Sequence, residues 1–328
     1  MRTFSFWIAA RPERPVKAGI RRYMMEQVNE FIVPEEYEEE RLDAVLALMC
    51  EGQSRSYLKT VIKDGFVLLN GKIVKPSARV KENDHIVLKM PEKIIPDIEP
   101  ENIPLDILYE DDDVLVVNKP KGMVVHPAPG HYSGTLVNAV MYHCGESLSG
   151  INGVMRPGIV HRIDRDTTGS VIICKNDAAH SSIAQQLKEH TIVRRYYAIA
   201  YDNIAEDSFT VDQPLGRDLK DRKRMAVRPD GKRAVTHGQV LRRFGKYTYV
   251  ECRLETGRTH QIRVHMAYIH HPLVGDEVYA GKRQSPFATQ GQCLHAGVLG
   301  FVHPRTGQYI ETHAPLPEYF QRILSKIQ

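Results

Sequence analysis

The alternation of apolar and polar positions divides the chain into segments with different periods. In RLDAVLALM (41–49), Leu42, Val45, Leu46 and Met49 recur at helical spacing. A second stripe, Leu58, Val61 and Ile62, follows Ser54 as its N-cap and precedes Gly65, which stands where a C-terminal glycine belongs. FVLLNGKIV then reads as two short strands turning at Asn70-Gly71, a strong hairpin signal, and HIVLKM (85–90) supplies a further strand. Pro91, Pro96, Pro100 and Pro104 interrupt the pattern and predict a stiff, extended connection. Beyond it, apolar runs predict strands at 114–118, 171–174, 193–200, 235–241, 247–254 and 294–302, with helices at 178–190 and 259–270. These strands lack regular helical crossovers, so the expectation is an α+β fold with a mixed, largely antiparallel sheet. The resulting map is a poorly structured leader over 1–30, a small helix–helix–hairpin domain over 31–91, a proline-rich linker over 92–104, and a large domain over 105–328.

Composition narrows the classes. With 42% hydrophobic and 26% charged residues, the 328-residue chain has the make-up of a folded globular protein of about two domains. No apolar run approaches the ~20 residues of a membrane span. The FSFWIAA patch near the start is short for a secretory signal, and basic residues follow it, so the organised chain is expected to begin near Met24 or Met25. Five scattered cysteines with no CxxC pair fit a reducing, cytoplasmic setting and offer neither a disulfide frame nor a zinc site. Neither a Walker loop nor GxGxxG occurs, so no nucleotide cofactor is indicated.

The net charge of only +4 makes local patches more telling than the total. Between Arg55 and Lys81 seven basic residues face one acid, Asp64, and LGRDLKDRKRMAVRPDGKR (215–233) carries eight basic residues against three acids. Both patches suit phosphate contact; in the second, Arg222, Lys223 and Arg224 are the candidate RNA-binding residues.

Candidate chemistry gathers in the large domain. HRIDRDTTG (161–169) sets Asp164 between Arg162 and Arg165, just ahead of the apolar run VIIC. Cationic neighbours favour the charged form of a carboxylate, which suits a nucleophile or base. Lys119-Pro120-Lys121-Gly122 reads as a turn with exposed lysines. His260, His265, His270 and His271 lack the i, i+4 spacing and the carboxylate of a zinc site, so no metal is expected. A glycoside hydrolase would need a second acid; Asp166 is the one at hand, two residues on and expected to turn inward to cap Thr168 or Gly169. A pure RNA-binding protein would have no use for an acid facing phosphates, so Asp164 separates that reading from an enzyme.

HRIDRDTTG, RRYYA (194–198), TGRTHQIRVHMAYIHHPLVGD (256–276) and VNKPKGMVVHPAPG (117–130) together resemble the signatures of the RluA/RluD family of pseudouridine synthases. RLD (41–43), SRS (54–56), IKDGFVLLNGK (62–72) and Lys75 resemble an S4-like RNA-binding domain, the usual arrangement in the RluD branch. The resemblance implies the pseudouridine synthase fold and the isomerisation of uridine: the N-glycosidic bond breaks, the uracil turns, and C5 bonds to the ribose carbon, without a cofactor. It implies Asp164 as the catalytic aspartate, Tyr196 as the tyrosine that stacks on the target uracil, and Arg263 as the residue that pairs with the aspartate. It further implies Arg162 as the residue that helps push the base out of the stack, and Arg55, Lys59 and Lys75 as phosphate contacts of the small domain. Ile163 stands where leucine is commoner, a change of packing only. The implied partner is structured RNA, above all large-subunit ribosomal RNA, with no membrane and a monomeric protein.

Overall fold

A computed structural model describes residues 27–50, 55–90, 98–127, 132–145, 148–149, 157–221 and 224–327. The chain forms two compact units that divide between Asp97 and Ile98.

The first unit contains β1 (Gln27–Ile32), α1 (Leu42–Met49), α2 (Arg55–Lys63), β2 (Val67–Leu69), β3 (Lys72–Ile73) and β4 (His85–Met90). Its antiparallel sheet has the order β1-β4-β2-β3. The predicted stripes are the faces that pack: Leu42, Val45 and Leu46 meet Leu58, Val61 and Ile62 over Val67, Ile86 and Leu88. Asn70 and Gly71 both take positive φ, as a tight hairpin turn requires. The expected cap Ser54 lies outside the described residues. One boundary is corrected: residues 27–30, assigned to the leader, form the start of β1, with Gln27 opposite Met90 and Glu30 opposite Val87. The strand is short and half polar, so its pattern is weak, and the exposed edge of β4 is what orders it.

The second unit is built on a nine-stranded mixed sheet. Its members are β5 (Ile107–Glu110), β6 (Val114–Lys119), β7 (Thr168–Cys174), β8 (Val193–Tyr201), β9 (Ser208–Asp212), β12 (Val235–Arg243), β13 (Tyr247–Leu254), β14 (Leu294–Val302) and β15 (Tyr309–His313). β10 (Leu215–Arg217) and β11 (Met225–Val227) form a separate hairpin. The order is β5-β6-β7-β14-β8-β13-β12-β9, with β15 on β14, and β14 runs parallel to β7 but antiparallel to β8.

Four helices cover the sheet: α3 (Leu136–Cys144), α4 (Asp177–Lys188), α5 (Gln261–Tyr268) and α6 (Glu318–Lys326). Alternation in the buried strands assigns them to faces. Leu115 and Val117 share a core with Leu136 and Val140 of α3 and Ile262 and Met266 of α5. Val114 and Val116 pack on Ala179 and Ile183 of α4, and Ile199 and Tyr201 on Phe320 and Ile323 of α6. The face that carries α3 and α5 also carries Tyr196. The second boundary correction falls here: residues 98–104, assigned to the linker, belong to this unit. Ile98 is buried among Leu136, Val137 and Val140, and Asn138 Nδ2 donates to the Glu99 carbonyl. An apolar side chain between two prolines finds a core to enter, which overrides the local stiffness.

Candidate active site

Asp164 sits in the turn that leads into β7, and the turn is held from below. The Thr167 N–H donates to the Asp164 carbonyl at 3.1 Å, and the Arg165 carbonyl accepts from both Gly122 N–H (3.0 Å) and Lys119 Nζ (2.9 Å). Lys119 is fully buried at the end of β6, and its ammonium also donates to the Pro120 and Met123 carbonyls at 2.7 and 2.8 Å. Burial pushes its pKa down to about 7, with the charges of Asp166 and Asp164 opposing. Three carbonyl acceptors match the three N–H bonds of the charged form. Lys121 is also inside, its Nζ lying 3.8 Å from the Tyr319 ring centroid and donating to the Thr289 carbonyl. The expectation of two exposed lysines in this turn is therefore wrong. The lysines bond carbonyls that come from distant segments, so local sequence gives no sign of it.

On the other side, Gly169 takes φ +110°, and a Cβ there would lie 2.2 Å from the Ala296 oxygen of β14. Glycine at this point lets the parallel pair of β7 and β14 close behind the turn. His161 accepts from the Ile172 N–H through Nε2 at 3.0 Å; burial, aided by Arg194, pushes its pKa down to about 3, so it is a neutral structural anchor.

The carboxylate of Asp164 meets Arg263, which projects from the first turn of α5 (Nη1 to Oδ2, 2.9 Å). Asp276 takes the rest of that guanidinium, accepting from Nε at 2.7 Å and Nη2 at 2.9 Å. Asp276 is itself fixed by the backbone N–H groups of Val278 and Tyr279. The Tyr279 ring lies over the guanidinium, 5.1 Å from Cζ to centroid. Burial opposes the charge on Arg263, but the two carboxylates outweigh it and hold its pKa above the ordinary value. Arg263 is thus a fixed cation with one edge presented to Asp164.

Two aromatic groups complete the surroundings. Tyr196, 8% exposed, lies in β8 within the core. Burial raises its pKa, Arg194 pulls it back, and the Asp164 charge adds to the rise, so the phenol stays neutral. His260 Nε2 is 3.8 Å from Asp164 Oδ1, and its Nδ1 lies 2.8 Å from the Tyr279 hydroxyl.

The structure brings Asp164, Arg263 and Tyr196 together. Arg162 is exposed at the same turn, with Nη1 3.2 Å from His126 Nε2. Asp166 does not cap Thr168 or Gly169, as expected; its carboxylate takes a two-bond ion pair from Arg165 at 3.0 and 2.9 Å. With Asp166 engaged in this way, the second acid of a hydrolase is not supplied. Arg224 lies over the ring of Tyr279, at 5.3 Å to the centroid, while Arg222 and Lys223 lie outside the described residues. In the first unit Lys59 and Lys75 are exposed. Arg55 is exposed too, but its Nη2 donates to the buried Asp43 at 3.2 Å, beside a two-bond pair from Arg41. Arg55 is thus also engaged in an ion pair within the unit.

Residues the sequence reading passed over include Lys119, Asp276 and Tyr279. Asp276 and Tyr279 follow Arg263 by thirteen and sixteen positions, on the loop after the helix. Of the four histidines weighed as metal ligands, His265 bonds Thr236 Oγ1 and the Gln213 carbonyl, and His271 bonds the Tyr201 carbonyl. Those two are structural.

The family model described as RNA pseudouridylate synthase matches residues 113–268, and an S4 domain model matches 40–86. The chain belongs to the RNA pseudouridylate synthase family and is an RNA pseudouridine synthase with an N-terminal S4 domain. Among its relatives, the Bacillus subtilis (strain 168) protein named Uncharacterized RNA pseudouridine synthase YlyB is 53% identical over 294 residues, 90% of this chain and 96% of the relative. Ribosomal large subunit pseudouridine synthase D of Zymomonas mobilis (subspecies mobilis, strain ATCC 31821 / ZM4 / CP4) is 45% identical over 297 residues, covering 88% and 93%. The solved structure of human RNA Pseudouridylate Synthase Domain Containing 1 covers 69% of this chain and 96% of its own, with a TM-score of 0.53 at 24% identity, a likeness of fold. Among the described residues no helix is long and apolar enough to cross a membrane.

Proposed function

We propose that this synthase acts on large-subunit ribosomal RNA and that Asp164 is its reacting carboxylate. The observation that carries the catalytic assignment is the pairing of Asp164 Oδ2 with Nη1 of Arg263 while Asp276 holds Nε and Nη2. A carboxylate with a fixed counter-ion keeps its charge in place as a nucleotide displaces water around it. Tyr196 forms the neighbouring wall, and a flat aromatic there suits a uracil taken out of the stack. Arg162, exposed at the rim of the turn, is placed to fill the gap the flipped base leaves. The isomerisation consumes no second reactant, so the residues above are a sufficient set: one carboxylate, one counter-ion and one stacking surface. The ribosomal target rests on the names of relatives such as the Zymomonas mobilis enzyme, and the protein is taken to act as a monomer in the cytoplasm.

Carbodiimide-based mapping of pseudouridine tests both parts. In cells lacking the protein, specific uridines of the large-subunit RNA lose the modification; wild type restores them and Asp164→Asn does not. Restoration by Asp164→Asn removes Asp164 from the chemistry, and loss confined to other RNAs removes the ribosomal target.

A further inference from the structure

His260, 3.8 Å from Asp164, is a group that the assignments above leave without a task. It occupies the N-cap of α5 yet makes no side-chain capping bond, and its backbone is left-handed, φ 56° and ψ 20°. That conformation is uncommon outside glycine and persists where surrounding contacts fix it. Here the fixing contact is Tyr279. The Tyr279 oxygen accepts from the Met225 N–H at 2.9 Å, and the His260 ring stands edge-on to the Tyr279 ring with Nδ1 2.8 Å from the hydroxyl. A phenol has one hydrogen to give, and among the described contacts of this buried tyrosine His260 Nδ1 is the acceptor for it. Nδ1 therefore accepts, and the proton of the neutral imidazole sits on Nε2. Neutrality follows from the surroundings: burial lowers the pKa of His260, Arg263 and Arg162 lower it further, and Asp164 and Asp276 oppose.

The result is an N–H donor at Nε2 and a carboxylate acceptor at Asp164 Oδ1, 3.8 Å apart. That is too far for a direct hydrogen bond. Arg263 occupies the other oxygen, Oδ2. A single oxygen placed about 2.8 Å from each can accept from the imidazole and donate to the carboxylate, as a hydroxyl of a bound nucleotide does through one atom. An internal uridine carries one hydroxyl, on the ribose 2′ carbon.

We propose that His260 and Asp164 Oδ1 form a subsite for the 2′-hydroxyl of the target uridine, with Tyr279 as a positioning residue that sets the His260 tautomer. The subsite gives the enzyme a means to tell RNA from DNA at the reacting nucleotide. The inference rests on Asp164 as the reacting carboxylate.

The test is a cycle that crosses a change in the protein with a change in the RNA. Turnover of a wholly ribose substrate is compared with the same RNA carrying 2′-deoxyuridine at the target, for wild type, His260→Ala and Tyr279→Phe. In wild type the deoxy change is expected to lower kcat/KM by about tenfold or more, the scale of a lost charge-assisted hydrogen bond. In His260→Ala the hydroxyl keeps only its bond to Asp164, so the same change is expected to cost about threefold less than in wild type, with Tyr279→Phe in between. Effects of sugar pucker act on every enzyme alike and cancel in the cycle. Where a variant turns over too slowly, binding of the two RNAs by fluorescence anisotropy closes the same cycle. An equal deoxy penalty in wild type and His260→Ala overturns the subsite and leaves Asp164 untouched. Full turnover of the ribose RNA by Asp164→Asn overturns the reading beneath it.

Discussion

Asp276 decides how Arg263 can be used. It takes two bonds along one edge of the guanidinium, so the arginine meets Asp164 with a set orientation. A lysine lacks the planar fork that pairs Asp276 through two parallel bonds while a third N–H reaches Asp164. Arg263→Lys is therefore expected to keep the fold and lower kcat by about 10²-fold or more, read in single-turnover assays at saturating RNA. Asp276→Ala leaves a buried guanidinium with half its partners and is expected to cost about 3–5 kcal/mol in denaturant unfolding, together with a fall in kcat. At this scale the sequence yields Asp164, Tyr196 and Arg263, because they lie in short distinctive segments. It does not yield Asp276, whose significance depends on a partner across a helix, nor the burial of Lys119, since lysines are almost always exposed.

Between elements, the joints are single residues at crossings. Gly169 stands where β7 meets β14 with no room for a side chain. Gly169→Ala is expected to lower the stability of the second unit by about 3 kcal/mol or more, measured by thermal unfolding of the full chain. In the first unit the joint is ionic. Asp43 of α1 accepts from Arg41 ahead of it and from Arg55 at the start of α2, and these bonds, against the opposing effect of burial, hold its pKa at about 2 instead of 3.8. A lowered carboxylate pKa contributes stability above its ordinary value and loses it as pH falls through the folded one. Hydrogen exchange of α1 and α2 is thus expected to accelerate as pH drops from about 4 to 2 relative to its intrinsic pH dependence, and Asp43→Asn is expected to flatten that dependence. The elements that period alone predicts, α1, α2, β6 and β14, are those with long apolar stripes. β1 escaped because it is half polar.

For the molecule as a whole, charge is divided between surface and interior. Lys59 and Lys75 are exposed, whereas Arg263 and Lys119 are buried and committed to protein partners. Reversing Lys59 and Lys75 to glutamate is expected to weaken RNA binding and flatten its salt dependence by about 0.7–0.9 per lost phosphate contact, with kcat at saturating RNA unchanged. Titrating salt in a binding assay reads the slope directly, and an unaltered slope removes both lysines from the interface.

The grip of Asp276 on Arg263 also has a consequence for how the enzyme is inhibited. RNA is a dense polyanion, and in its presence a loosely held arginine would exchange its carboxylate for phosphate. Arg263 is already held through two bonds by a buried partner, which opposes that exchange. Heparin should then act as a competitor for the outer surface, raising KM for RNA while kcat holds. Phosphate in bulk is expected to leave the Asp164–Arg263 pair intact, because Asp276 already holds the cation.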